Sequence, residues 1–223
     1  MNMSNASFEN EMEEELLYEV SLLTPEDADK AMDLLKQNIV ENWWRRIEWW
    51  LKGINRSGNY DAPWTEAYKA IQLLEQNPGP ETLAELGANP SEGFTRRVIA
   101  QLWDILEEDQ QKRVLRSIKR GIALHGLEYF FDALLDFLRR EASQKEGDAI
   151  AKQILKKAYE FNNGKISFDE LMNSIAELMS SHQHSDASAI SKLFTEVKTL
   201  GHYINSNDLK KLVMKLYSLT SSL

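Results

Sequence analysis

Cysteine is absent from all 223 residues of the sequence. Without thiols, the chain has no disulfide framework, no thiolate zinc site and no cysteine nucleophile. Glycine-rich phosphate loops are missing too, because neither GxxxxGK nor GxGxxG occurs, and no serine nucleophile elbow is present. These gaps remove several enzyme classes, and the sequence predicts neither a cofactor nor a metal ion.

Long apolar runs are also missing. No stretch approaches the roughly 20 apolar residues that a membrane-spanning helix needs. The first residues carry no basic cluster followed by an apolar stretch, so a secretory signal is not expected. We therefore expect a cytoplasmic protein without membrane contact. The hydrophobic share of 43% is enough for a folded core and excludes collagen-like and wholly disordered chains.

Negative charge is concentrated at one end of the chain. The formal net charge is -9, and residues 1–33 hold ten acidic residues against the single base Lys30. The remaining residues are therefore neutral overall. Such a block is typical of a solvated arm, or of a contact for a basic partner or for a basic face of the same protein. Glu13, Glu14 and Glu15 are the candidate contact residues.

Apolar residues recur with helical spacing along the whole chain, and alternating β-strand patterns are nearly absent. Thr24 followed by Pro25 predicts a helix start, and Asn55–Asn59 and Asn77–Pro80 predict breaks. Ser91 and Asp109 are expected to cap later helices. The sequence predicts an all-α protein with three parts: an acidic head (residues 1–23), an N-terminal helical bundle (24–108) and C-terminal helical hairpins (109–223).

Residues 110–222 contain three helix-turn-helix units of similar length. Their turns are predicted at His125–Gly126, Asn162–Gly164 and Gly201–His202. Ser167 with Glu170 predicts a capping box, and Asn205 or Ser206 would cap the last helix. The fold expected is an irregular N-terminal bundle followed by three stacked units, either a short α-solenoid or a compact bundle.

The segment Asn163–Leu171 is similar to the second half of an EF-hand loop and its exiting helix. In that register, Tyr159 and Phe161 would occupy positions where calcium needs oxygen ligands. These side chains therefore cannot form a calcium cage, and the pattern favours a plain helical hairpin over a degenerate, metal-free EF-hand-like pair.

Four of the six tryptophans lie in residues 43–50. Val40, Trp43, Trp44, Ile47, Trp50, Leu51 and Ile54 share one wide helical face, which predicts a core helix. Trp49 falls off that face beside Arg45 and Arg46, and Arg45 could stack on its ring. Because tryptophan and arginine dominate interface hot spots, these three residues are candidates for binding a partner.

A basic stripe lies opposite the apolar residues Val114, Ile118 and Ile122. Its members recur at helical spacing: Arg113, Arg116, Lys119 and Arg120, with Lys112 beside them. Such a stripe could bind a nucleic-acid backbone, an acidic partner or the chain's own N-terminus. A solvated helix face is the favoured interpretation, since the body of the chain is neutral and no aromatic residues interleave the bases.

Arg120 is followed by His125 after four residues. This spacing resembles the motif of the HEPN ribonucleases, an all-helical family in which two motifs meet across a dimer to cleave RNA. The resemblance implies that Arg120 would stabilise phosphate charge and that His125 would transfer protons. Gly121 departs from the polar residue that usually follows the arginine.

These observations favour a non-enzymatic function: a protein–protein interaction module, an adaptor or a subunit of a larger assembly. The expected partners are proteins, with a basic one at the acidic head, and a homo-oligomer stays open. A nucleic-acid-binding subunit, with ribonuclease activity through Arg120 and His125, is the alternative.

Overall fold

The computed structural model describes residues 3–53, 61–87, 92–144, 147–183 and 187–220. Helices make up nearly all of this part of the chain, and it contains no strand, so the all-α prediction is confirmed. The helices are α1 (Met3–Ser21), α2 (Pro25–Leu51), α3 (Pro63–Gln76), α4 (Pro80–Gly87), α5 (Gly93–Ile105), α6 (Glu108–Ala142), α7 (Gly147–Asn162), α8 (Phe168–Gln183), α9 (Ala187–Gly201) and α10 (Ser206–Met214), followed by a 3-10 helix (Lys215–Leu219).

Most predicted helix ends are confirmed. The Thr24 hydroxyl accepts the backbone N–H of Asp27, with Pro25 in the first turn of α2. The predicted break at residues 77–80 falls where α3 ends, at Gln76, and α4 begins, at Pro80. The predicted cap at Ser91 and the predicted break at Asn55–Asn59 lie outside the described residues.

The start of α6 differs from the prediction. Helix α5 ends at Ile105 because Leu106 is extended, with ψ at 140°. The N–H of Glu107 then donates to the side-chain oxygen of Gln110, so this glutamine serves the cap instead of Asp109. Asp109 lies inside the first turn of α6.

The predicted turn at His125–Gly126 is wrong, because α6 runs through it as one helix of 35 residues. Gly126 is buried within this helix, and a Cβ there would lie 2.7 Å from the Cβ of Ala67 and 3.1 Å from Cδ1 of Leu200. The glycine therefore permits close helix packing where the sequence suggested a turn. The first of the three helix-turn-helix units is absent as a result.

Tertiary contacts divide the chain into two units. Unit 1 comprises Met1–Gly58 with Ala70–Gly121, and unit 2 comprises Asn59–Lys69 with Ile122–Leu223. The predicted division into residues 1–23, 24–108 and 109–223 stays a prediction.

In unit 1, α2 packs against α4 and α5, and α1 packs against α5. The buried side chains of α2 recur at helical spacing and include Met32, Ile39, Trp43 and Ile47. Gly87 allows a close approach here, because a Cβ at this position would lie 2.7 Å from the Cα of Ile39. This packing fixes one face of α2 and leaves the opposite face to solvent.

In unit 2, α8 packs against both α7 and α9, and α10 packs against α7. The turn between α7 and α8 uses Gly164 at φ 70°, a left-handed conformation that glycine adopts without strain. Ser167 and Glu170 form the predicted capping box, with the Ser167 N–H donating to the Glu170 carboxylate at 2.6 Å. Asn205 caps α10 through the N–H of Asp208. The second and third predicted turns are therefore confirmed.

A chain of aromatic rings fills the centre of unit 2. Phe130 makes edge-on contacts with Trp64, Phe131 and Phe194. Phe168 contacts Phe131 as well, and it extends the chain to Phe161. Beside this cluster, the buried carboxylate of Glu196 accepts the Thr65 hydroxyl at 2.6 Å. This hydrogen bond joins the first turn of α3 to α9.

Candidate functional site

The acidic head folds as α1 and is attached to unit 1 by an arginine. Arg97, on α5, donates through one guanidinium nitrogen to Glu13 and through another to Glu14, both at 3.0 Å. Glu15 is exposed and has no ion pair among the described residues. Two of the three predicted head residues thus contact the protein itself, and the third faces solvent.

Apolar side chains on α1 form a surface that the sequence analysis did not single out. Phe8, Met12 and Leu16 are 65%, 48% and 45% exposed, although all three are large and apolar. Their spacing of four residues places them in one row along the helix. We call Phe8, Met12 and Leu16 the apolar row. The spacing of the row is visible in the sequence, but the side of α1 that packs on α5 is not.

Acidic residues line this row. Glu11, Glu15 and Glu19 each lie three residues after a member of the apolar row, so they form a parallel neighbouring row on the same helix. The buried side of α1 is carried by Leu17, which is 5% exposed. Helix α1 therefore holds to α5 through one side and presents apolar and acidic rows to solvent.

Trp49 lies on the solvent side of α2, as predicted, and is 62% exposed. Trp43 and Ile47 are buried on the opposite side, so the helix packs in the core through that part of its predicted face. Leu51, predicted on the same face, is 44% exposed at the end of the helix, and Ile54 lies outside the described residues. Arg45 reaches back to Glu41 at 3.7 Å, so its guanidinium is directed toward the preceding turn and not toward Trp49. The structure thus leaves the Trp49 ring open to solvent.

Arg46 has a different environment from Arg45. Both terminal nitrogens of its guanidinium donate to the backbone carbonyl of Glu85 at 3.2 Å, in the last turn of α4. Burial lowers the pKa of the Arg46 guanidinium from its ordinary value, and the nearby Glu85 carboxylate opposes that shift. A cation at the end of a helix satisfies carbonyls that lack helical donors. Arg46 therefore has a structural role in joining α2 to α4.

The basic stripe is largely paired within unit 1. Arg113 binds Asp29 at 3.0 Å, and Lys119 binds Glu75 at 2.7 Å with only 12% of the lysine side chain exposed. A hydrogen bond to Glu108 raises the pKa of the Lys112 ammonium, and the same contact lowers the pKa of the Glu108 carboxyl. Arg116 is exposed, and no ion pair of its side chain is found in the described ranges. Asp29 belongs to the acidic residues 1–33, so part of that charge neutralises the stripe.

Arg120 and His125 lie on the same helix, five positions apart in α6. At 3.6 residues per turn, this spacing separates them by roughly 140° around the helix axis. The Nδ1 atom of His125 lies 3.8 Å from a carboxylate oxygen of Glu128. The histidine was expected to end a helix, and it instead lies inside one.

Within the described ranges, no group of three or more His, Asp or Glu side chains is placed to hold a metal ion. None of the helices in those ranges combines the length and apolarity needed to cross a bilayer.

No protein-family model matches the chain, and no curated protein and no solved structure shows a significant similarity to it.

Proposed function

We propose that the protein is a non-enzymatic interaction module that binds another protein through the exposed side of α2. The observation that carries this proposal is Trp49, whose ring is 62% exposed on a helix that is otherwise anchored by buried residues. Tryptophan buries a large area when it enters an interface, and it is enriched among the residues that dominate binding energies. Its helix is fixed in unit 1, so the side chain is presented from a stable base.

The charges around Trp49 support the same proposal. Arg45 is exposed, and its ion pair with Glu41 is long, at 3.7 Å, on the surface. Such pairs contribute about 0–1 kcal/mol, so a partner can replace Glu41 at little cost. Arg46 is excluded from this surface by its bonds to Glu85, which narrows the candidate contact to Trp49 and Arg45.

The alternative, a nucleic-acid-binding subunit, is less well supported. Two stripe residues with long basic side chains, Arg113 and Lys119, are already paired with carboxylates. Phosphate binding by these residues would require those pairs to break, which reduces the gain from counterion release. Arg116 is the stripe residue that we consider most accessible to a phosphate.

Affinity capture from native-host lysate with the tagged full-length protein tests the main proposal. We expect a retained protein that is lost with Trp49→Ala and kept with Leu34→Ala. Leu34 is a matched control, because it is 70% exposed on the same helix. Both variants should keep their melting temperature, since surface substitutions change stability by about 0.5 kcal/mol. Retention of the same proteins by Trp49→Ala would contradict the proposed surface.

A gel shift with RNA and DNA at low salt tests the alternative. We expect no shift at protein concentrations where the captured protein binds. Binding that Arg116→Ala weakens would favour the nucleic-acid function. RNA cleavage that His125→Ala abolishes would overturn the non-enzymatic proposal.

A further inference from the structure

We propose that the apolar row on α1 is the docking site for a basic amphipathic helix of a partner protein. This inference rests on the proposed interaction function, and it names the chemistry of a partner at a second surface. It is carried by exposed apolar side chains in register on one helix and by the charges beside them.

The apolar row is both regular and unpartnered. Phe8, Met12 and Leu16 follow one another every four residues, so their side chains are spaced by about 6 Å along the helix axis. Of the large apolar side chains exposed in the described ranges, these three form a continuous row on one helix. A second helix matches this spacing with apolar residues at i, i+4 and i+8, or at i, i+3 and i+7.

Helix α1 is held in place from its other side. Leu17 is buried, and Arg97 binds Glu13 and Glu14. These contacts leave the row accessible while they fix the helix that carries it. A partner therefore meets an already formed helix, which reduces the ordering cost of binding.

The charges beside the apolar row indicate which kind of partner binds there. Glu9, Glu11, Glu15 and Glu19 surround the row, and no lysine or arginine is paired with them within the described part of the chain. A second copy of the chain would place one acidic row against another, and like charges across an interface oppose association. An anionic membrane surface would be repelled for the same reason. A helix with lysines or arginines beside its apolar residues pairs with the acidic row while its apolar face covers Phe8, Met12 and Leu16.

Three fluorescein-labelled 18-residue peptides serve as probes for the full-length protein, measured by fluorescence anisotropy. The first has leucine on one helical face and lysine elsewhere, the second has alanine in place of leucine, and the third has glutamate in place of lysine. We expect the leucine–lysine peptide to bind at least tenfold more tightly than the other two. Its affinity should fall as salt increases, because the acidic row contributes through screened charge.

Two variants on α1 and two controls elsewhere on the protein test whether the peptide binds at this surface. The variant Phe8→Ala/Met12→Ala/Leu16→Ala removes the row, and Glu11→Gln/Glu15→Gln/Glu19→Gln neutralises its border. Each should weaken binding of the leucine–lysine peptide at least tenfold. The control Tyr159→Ala/Met214→Ala removes side chains that are exposed in unit 2, and Asp104→Asn/Asp136→Asn removes two exposed carboxylates. Neither control should change the affinity by more than twofold. Circular dichroism confirms that each variant keeps its helical content.

Equal binding of the alanine–lysine peptide would overturn the proposal, because charge alone would then explain the affinity. Affinity unchanged in the row variant would overturn it as well. Sedimentation velocity adds a third criterion: a dimer that the row variant dissociates would identify a second copy as the occupant. If these tests fail while Trp49→Ala still abolishes protein capture, the interaction function stands and only this partner class is refuted.

Discussion

Replacing Gly126 by alanine should destabilise the protein, although alanine favours helices. In an open helix, the change from glycine to alanine gains about 0.8–1.0 kcal/mol. The new Cβ would lie 2.7 Å from the Cβ of Ala67 and 3.5 Å from the Cα of Trp64. Neither atom can move by a side-chain rotation, so the helix backbones must separate. Overpacking of this kind costs about 1–3 kcal/mol, which exceeds the propensity gain and leaves a net loss of up to about 2 kcal/mol.

A double-mutant cycle with Ala67→Gly measures this contact directly. Ala67→Gly alone should cost about 1 kcal/mol through helix propensity. Combined with Gly126→Ala, it removes the colliding Cβ, so the double variant should be more stable than the sum of the single changes by about 1 kcal/mol or more. Urea unfolding monitored by circular dichroism at 222 nm gives the free energies of unfolding.

Gly121→Ala serves as a control in the same helix, because its Cβ would meet the two γ-methyl groups of Val40 at 3.1 Å and the Val40 Cβ at 3.6 Å, with no closer contact. We expect a change within about 0.5 kcal/mol, since the gain in helix propensity and a small shift of Val40 offset one another. A stabilising Gly126→Ala, or a cycle with no coupling to Ala67, would refute close packing as the reason for this glycine. A turn at residues 125–126 would also make Gly126→Ala unfavourable, but it would show no such coupling.

Three further predictions concern single interactions. Thr65→Val leaves the buried Glu196 carboxylate without its hydroxyl donor. The free energy of unfolding, measured in urea, should fall by about 1.5–3 kcal/mol. A loss below about 0.5 kcal/mol would mean that water replaces the hydroxyl. The backbone N–H of Ser167 and then its hydroxyl lower the pKa of Glu170 below its ordinary 4.5, so this stabilisation is present above about pH 4.5 and is lost as the pH falls through the lowered pKa. Glu170→Gln should therefore lower the melting temperature at pH 7 and match the wild type at pH 2.5; an equal difference at both pH values would contradict the assignment. Arg97→Gln should speed amide exchange in α1 by about three- to fivefold, because an exposed pair contributes up to about 1 kcal/mol, and exchange in α8 should not change.

Local signals in the sequence were sufficient for the fold class and for most helix ends. These signals act within one turn of chain. They are the cap at Thr24, the break at residues 77–80 and the capping box of Ser167 with Glu170. Their outcome therefore does not depend on distant residues. Gly164 belongs to the same class, since its positive φ is required by the turn itself.

Gly126 shows where such signals fail. A histidine followed by glycine is typical of a helix end, yet here the glycine is required by Ala67 and Leu200, which are distant in the sequence. Close approach between helices depends on tertiary packing, and a single sequence carries no local sign of it. The close approach of Gly87 to Ile39 likewise has no local sign in the sequence.

The features of the candidate sites also differ in whether they depend on local spacing or on residues far apart in the sequence. The exposure of Trp49 followed from helical periodicity, because its position off the apolar face depends only on spacing. The bonds of Arg46 to Glu85 and of Arg113 to Asp29 did not, since each joins residues far apart in the sequence. The apolar row was spaced regularly enough to be noticed, but the side of α1 that would pack on α5 could not be chosen without knowing where Arg97 lies.

The attachment of α1 has a consequence for experiments that shorten the protein. Deletion of residues 1–23 removes six acidic residues, but it also removes the helix that covers part of α5. The apolar surface under Leu17 would then be open, and Arg97 would lose both carboxylates. A shortened protein would therefore expose an apolar patch and an unpaired cation. Proteins captured with it would include ones that the intact chain never binds. Point substitutions on the solvent-exposed side of α1 avoid this artefact, because the helix still covers the surface of α5 on which it packs.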